Sequence, residues 1–409
     1  MFYKYIYWAF FITVCLFAHG AVFAQVEDKV YKTDYRLNAG DSKSLFVELD
    51  NISFFKDNEF AGEVMEGYSL PGLWLQPKLV YQPLKNIKLE LGLHALVYSG
   101  AYKYPSMAYD DIAVWKGNQY QKGSHLLPFF RAQFELGKVN LVVGNIYGGS
   151  THRLIAPLYH PELNMTADPE MGFQLLFDTR AYHLDVWVNW QSYIFENDTH
   201  QEAFTVGLSS QIDFTPTDAR VHVYSPIQAT IQHRGGEQDT LFTNSVQTLM
   251  NGAIGAGITW NTDCRVLKRF NVEADFVGYY QQAGKLWGYD NGIGFYAAAY
   301  ADLKDFRVKA GYFYAKDFIS LFGIPYFGAA STRNKGALFD KPQTLFASAE
   351  YSRTFGKRYA LGAQVDVYQS MPGKMIDANG VVSSPGNATS FSFGIFFRIN
   401  PRFLLKKWE

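Results

Sequence analysis

Ile87-Lys88-Leu89-Glu90-Leu91-Gly92-Leu93-His94 alternates apolar and polar side chains without a break. In an extended chain, successive side chains point to opposite faces. One face of this stretch is therefore wholly aliphatic, and the other carries Lys88, Glu90, Gly92 and His94. The pattern recurs in Tyr182-His183-Leu184-Asp185-Val186-Trp187-Val188-Asn189-Trp190-Gln191 and in Arg220-Val221-His222-Val223-Tyr224, which continues through Ile227 to Gln232. It returns in Tyr359 to Val367 and in Phe391 to Ile399. Alternation over about ten residues is what a membrane-crossing strand needs, with lipid on one side and a polar interior on the other. A soluble β-sandwich also alternates, so strand length and loop rhythm must decide. Ile87 to Ser99 and Val221 to His233 are long for soluble strands and suit tilted membrane strands.

The connections alternate short and long. Short turns fall at Pro83 to Asn86, Gly137-Lys138, Thr179 to Ala181, Thr215 to Asp218, Asp302 to Asp305 and Phe355 to Arg358. Long loops fall between them, among them Gly100 to Ser124, Tyr147 to Glu170, Asp317 to Pro342 and Ser370 to Thr389. Short turns at one end and long loops at the other are the habit of outer-membrane barrels. The segments predict an all-β fold: an up-and-down antiparallel transmembrane barrel of about 16 strands. The strands begin near Ser44, Leu73, Ile87, Leu126, Val139, Met171, Tyr182, Ala203, Arg220, Val246, Phe270, Gly292, Phe306, Thr344, Tyr359 and Ser390.

The N-terminus reads as an export address. Lys4 precedes an apolar stretch from Tyr5 to Ala18, and Val22-Phe23-Ala24 precedes Gln25 as a cleavage site would. The expected organisation is a signal peptide over 1–24, a polar periplasmic lead over 25–43 and the barrel over 44–409. Beyond the signal there is no run of roughly eighteen apolar residues, the length a membrane helix requires. A net charge of -1 without basic clusters argues against nucleic acid. Aromatics are 17% of the chain, enough to supply Tyr and Trp belts at two membrane interfaces. The 2 cysteines include Cys15 in the signal, which leaves Cys264 without a partner.

The inner row supplies the expected pore lining: Lys88, Glu90, His94, Arg131, Glu135, Asp178, Asp185, Arg220, His222, Glu273, Asp275, Glu350 and Asp366. Acids and bases are mixed, which points to weak ion selectivity; cross-strand pairing that stiffens the wall is the blander role. Trp187, Tyr224, Tyr279, Phe313 and Tyr368 also fall inward. The loop from Asn145 to Glu162 is dense in polar and aromatic residues, and Ser150, His152, Arg153 and His160 mark it as a constriction loop. The loop Asp317 to Pro342, with Arg333, is its rival. Ser150, His152, His160 and Glu162 are also residue types that rim-active lipid hydrolases use, and a metal site can be drawn through them. No motif such as HExxH forces them together. The expectation is therefore no enzyme, no metal and no cofactor.

With this signal, rhythm and aromatic content, the chain resembles the general porins of Gram-negative outer membranes. The resemblance is one of architecture over nearly the whole mature chain. The composition and the Phe-Ala-Gln cleavage region are similar to exported proteins of Bacteroides relatives. The resemblance implies outer-membrane lipid and lipopolysaccharide as surroundings, the barrel-assembly machinery as partner, small hydrophilic solutes as cargo, and a homo-oligomer. A substrate-specific channel, a rim-active hydrolase and a surface adhesin stand as alternatives. Members of that family often end on an aromatic residue in the last strand, whereas here Phe391 to Ile399 is followed by Pro401 and a basic tail.

Overall fold

The computed structural model describes residues 26–99, 123–194, 201–236, 246–356 and 358–409. The expected signal peptide and the tips of three long loops, within 100–122, 195–200 and 237–245, lie outside the described residues. The strands are β1 Ser44–Glu59, β2 Tyr68–Leu84, β3 Ile87–Tyr98, β4 Gly123–Leu136, β5 Val139–Asn145, β6 Met171–Asp178, β7 Tyr182–Ser192 and β8 Ala203–Asp213. They continue as β9 Val221–Arg234, β10 Gln247–Asn261, β11 Leu267–Ala283, β12 Asn291–Leu303, β13 Phe306–Lys316, β14 Gln343–Phe355, β15 Tyr359–Met371 and β16 Ala388–Ile399. Each pairs antiparallel with the next, and β16 returns to β1 in the register Asn51↔Ile399 to Glu59↔Phe391. The result is a closed barrel of 16 strands. Closure leaves no unpaired edge in lipid, where an unsatisfied N–H or C=O costs several kcal/mol.

The chain does not stop at Ile399. Asn400 and Pro401 interrupt the ladder, and Arg402–Lys407 then runs on along the lower half of β1 as a short strand. This resolves how the last strand ends: Pro401 lacks an N–H, yet its carbonyl still accepts from Leu49 N at 3.0 Å.

Alternation decides which way each side chain faces. On β3, Leu91 is 61% exposed on the outer face while Glu90 and His94 are buried inside. On β11, Phe276 is 68% exposed while its neighbour Asp275 is fully buried. A barrel with an apolar outer face and its polar row inside is built for the outer membrane. Among the described residues no helix is long and apolar enough to cross a membrane.

The interior is filled from both ends. From the short-turn end the lead enters as the helical turn Glu27–Tyr31. Val26, Val30 and Tyr31 pack there against Ile52, Trp74, Leu96 and Phe396. From the outer end, the loops after β5 and β13 fold inward and bury Ile155, Leu158, Leu163, Phe318, Phe322 and Tyr326 against the inner walls of β10 to β15. The inward-facing aromatics Tyr279, Phe313 and Tyr368 belong to this packing. The two loops are sewn together: His160 N donates to Phe322 O at 2.7 Å and Ile324 N donates to Ala156 O at 3.0 Å.

Candidate functional site

A buried polar cluster forms where the loop after β5 meets the inner wall. Gly149–His152 makes one 3-10 turn, ended by Arg153 in the left-handed region with φ 57°. That turn aims His152 at the wall. Its Nδ1 lies 2.8 Å from Asp185 Oδ2 on β7, and its Nε2 lies 3.1 Å from Glu170 Oε2, just before β6. The imidazole stacks on Trp187, with ring centroids 3.5 Å apart and planes 11° apart. Trp187 in turn lies over Gly207 of β8, where an added Cβ would sit 2.0 Å from the indole. Gly149 has φ +62° and donates its N–H to Glu170 Oε1 at 2.8 Å. Burial alone would depress the His152 imidazole, but Glu170 and Asp185 on its two nitrogens push it up to about 9. The same ion pair overrides the burial of Glu170 and holds its carboxyl below the usual range.

Around this centre, Asn164 receives Ser150 N on its Oδ1 at 2.9 Å and donates Nδ2 to Ser150 Oγ at 2.9 Å. A second cluster adjoins it. Lys56 Nζ of β1 lies 2.7 Å from Glu162 Oε2, and Tyr68 OH of β2 donates to Glu162 Oε1 at 2.5 Å. His160 Nδ1 accepts from Glu162 N at 3.2 Å, and burial pushes this imidazole down to about 4. His160 is therefore neutral at pH 7, whereas His152 is a cation between two carboxylates. Nearby, His125 Nδ1 lies 2.7 Å from Asp168 Oδ1.

The remaining singled-out residues are spread along the interior. Glu90 is paired with Arg131 at 2.8 Å, and Lys88 donates to Tyr147 OH at 2.6 Å. His94 contacts Gln76, His222 contacts Asp213, and Asp178 contacts both His183 and Tyr35 of the lead. Glu135 sits near the short-turn end of β4, and Glu273 takes the Tyr224 hydroxyl. Glu350 accepts from Val26 N at 3.1 Å, and Asp366 accepts from Ser392 Oγ at 3.1 Å. Asp275 is fully buried on the inner row of β11. Arg220 departs from its expected place. It precedes β9 in an exposed short turn, because the strand starts only at Val221. Arg333 donates to Gly62 O at 2.8 Å on the outer loops and does not join the His152 cluster. No grouping of metal-ligand type occurs among the described residues.

The sequence puts Ser150, His152, Arg153 and His160 on one loop but does not reveal Glu170 as a partner. Glu170 ends that loop 18 residues after His152, with no motif to tie the two together. Asp185 and Trp187 were legible as inward residues two apart on β7, but not as the wall that receives a histidine from elsewhere.

The profile of the family described as Lipid A 3'-O-deacylase-type matches residues 37–408. The chain belongs to this family. The expectation that it is not an enzyme is thereby overturned, because the family is named for a hydrolase. Scattered His, Ser and acid residues without a motif look like chance in a long chain, and only the fold brings them together. No curated protein matches the sequence. Among solved structures, this deacylase-type chain is similar to OmpT of Vibrio cholerae at 9% identity, TM-score 0.45, with 88% of this chain and 100% of that chain covered. It is also similar to OprD of Pseudomonas aeruginosa at 9% identity, TM-score 0.45, covering 91% and 98%. A third is OccK5 (OpdH) of Pseudomonas aeruginosa at 7% identity, TM-score 0.46, covering 88% and 99%. At these scores the similarities carry nothing beyond a shared barrel form.

Proposed function

We propose that this chain is an outer-membrane hydrolase that removes an ester-linked acyl chain from a lipid A-type glycolipid, with His152 as its general base. The observation that carries this reading is the His152 centre itself, in a member of a family named for 3'-O-deacylation. Asp185 on Nδ1 orients the imidazole so that Nε2 faces the loop. That is how a carboxylate fixes the tautomer of a catalytic histidine. Ser150 is held by Asn164 rather than by His152, so water is the natural nucleophile. His152 Nε2 takes a proton from water as the oxygen adds to the ester carbonyl. The bond from the acyl carbon to the sugar oxygen then breaks, and the proton passes to that oxygen. In the described structure Glu170 occupies Nε2, and His152 is 1% exposed. Turnover on this reading therefore requires the loop to shift and Glu170 to swing away.

The test is direct. Purified protein in mixed micelles with lipopolysaccharide is followed by mass spectrometry of lipid A. Loss of one acyl chain by wild type, abolished in His152→Gln with the heat-modifiable barrel intact, is the expected result. Unchanged lipid A with wild type, over a range of pH and lipid, would sink the reading.

A second reading is passage of small hydrophilic solutes, generally or for one substrate class. The 16-strand barrel favours it, since barrels of this size are wide enough for an aqueous lumen. Against a permanently open route stand the lead and the two inward loops, which take up the interior from both ends. An adhesin role has no specific support in the geometry.

A further inference from the structure

A buried chain of hydrogen bonds runs from the N-terminal lead to His152. Tyr35 of the lead accepts at its carbonyl from Gln133 Nε2 of β4 at 2.7 Å. Gln133 Oε1 accepts from Tyr147 OH at 2.7 Å. Tyr147 is locked onto Gln174 of β6: its N–H donates to Oε1 at 2.9 Å, and its carbonyl accepts from Nε2 at 3.1 Å. Gln174 Nε2 also donates to Asp185 Oδ1 at 2.9 Å, leaving Asp185 Oδ2 for His152 Nδ1 at 2.8 Å. Gln133 and Gln174 are both 0% exposed, and Tyr147 is 1% exposed. Buried donors and acceptors do not give up their partners without cost, so each link constrains the next. The lead grips the relay at one more point, since the Tyr35 and Tyr147 rings lie 5.8 Å apart.

We infer that the N-terminal lead is a positioning element of the His152 centre, acting through Gln133, Tyr147 and Gln174, so that the site is complete only while the lead is seated in the lumen. The role of the lead in turnover rests on the hydrolase reading; the mechanical coupling does not. The lead enters from the periplasm, and His152 hangs from an outer loop. The relay therefore runs around the inner wall from β4 to β7, between neighbouring ladder positions, and joins the lead to the inward-folded loop.

Gln133 is the discriminating position. Gln133→Leu removes both links. Gln133→Glu keeps an acceptor for Tyr147 OH but has no hydrogen to offer Tyr35 O. Each variant is first checked for heat-modifiable folding. Two readouts follow: the titration of His152 by NMR of selectively labelled protein in detergent, and kcat and KM for acyl release. Both variants are expected to lower the His152 midpoint from about 9, as the hold of Asp185 slackens. Both should also cut kcat about tenfold or more with little change in KM, as misplacement of a base does. Wild-type midpoints in both variants would overturn the inference. A shift in Gln133→Leu with none in Gln133→Glu would also overturn it, because Tyr147 alone would then be responsible. If wild type releases no acyl chain, the NMR arm still decides the coupling, and only the hydrolase reading falls.

Discussion

His152 is the residue on which most depends, and its surroundings set a signed pH response. The imidazole is raised to about 9 from an ordinary 6.5, so its two ion pairs stabilise the fold fully below 6.5. That contribution, about 3 kcal/mol at most by linkage, fades as pH rises through 9. The stability difference between wild type and His152→Gln should therefore narrow from pH 6.5 to pH 9, which unfolding in detergent at a series of pH values would measure. The same elevation holds the base protonated at neutral pH, so hydrolysis should climb with pH toward 9. Glu170→Gln removes one of the two raising charges. Its rate profile should climb at lower pH than wild type; an unmoved profile would mean that Glu170 does not hold the base in solution. Gly207→Ala tests the opposite ring face, because its Cβ would meet the Trp187 indole at 2.0 Å. Overpacking of this kind costs ~1–3 kcal/mol, and loss of acyl release should accompany the loss of stability.

Among the elements, the lead is held by one side chain above others. Arg398 of β16 makes a two-point pair with Asp50, at 3.0 Å and 2.8 Å. Its remaining hydrogens go to Val30 O at 2.9 Å, Lys32 O at 2.7 Å and Thr33 Oγ1 at 3.1 Å. Arg398→Ala strips these contacts and leaves Asp50 buried without its cation, a change worth ~3–5 kcal/mol. Limited proteolysis should then cut the lead between Lys29 and Arg36 far faster than in wild type, with the barrel core still resistant. The strands themselves were legible because each must satisfy a period of two along its own length. Ile87 to His94 carries its inside and outside in eight letters. The elements that fill the barrel were not legible in that way. The loop holding His152 is pinned by Gln228 of β9, whose amide takes Ile155 N at 2.9 Å and gives to Arg153 O at 2.9 Å. That contact spans 73 residues, and no local pattern announces it. The lead lacks alternation for the same reason: its partners are distant in sequence, from Gln133 and Asp178 to Glu350 and Arg398.

At the scale of the whole molecule, inside and outside obey different rules. The outer face has only lipid to meet, so a charge there has no partner. Leu91→Lys, near the middle of β3, should cost ~2–4 kcal/mol, whereas the inner face already pairs Glu90 with Arg131 and Arg307 with Asp302. The inner face is also where solute passage and lipid chemistry part company. The lead leaves a cavity of about 340 Å³ at the short-turn end, lined by Lys32, Arg36, Lys88, Glu90, Arg398 and Arg402. Beyond it, toward the outside, the walls of β10 to β15 are covered by the two inward loops. Planar-bilayer recording on wild type should therefore show no porin-sized steady steps, while Arg398→Ala, by loosening the lead, should produce intermittent openings. Large ohmic steps from wild type would mean that lead and loops leave the lumen freely in a membrane. The His152 centre would then be only one of several states of its loop, and the weight would move to solute passage.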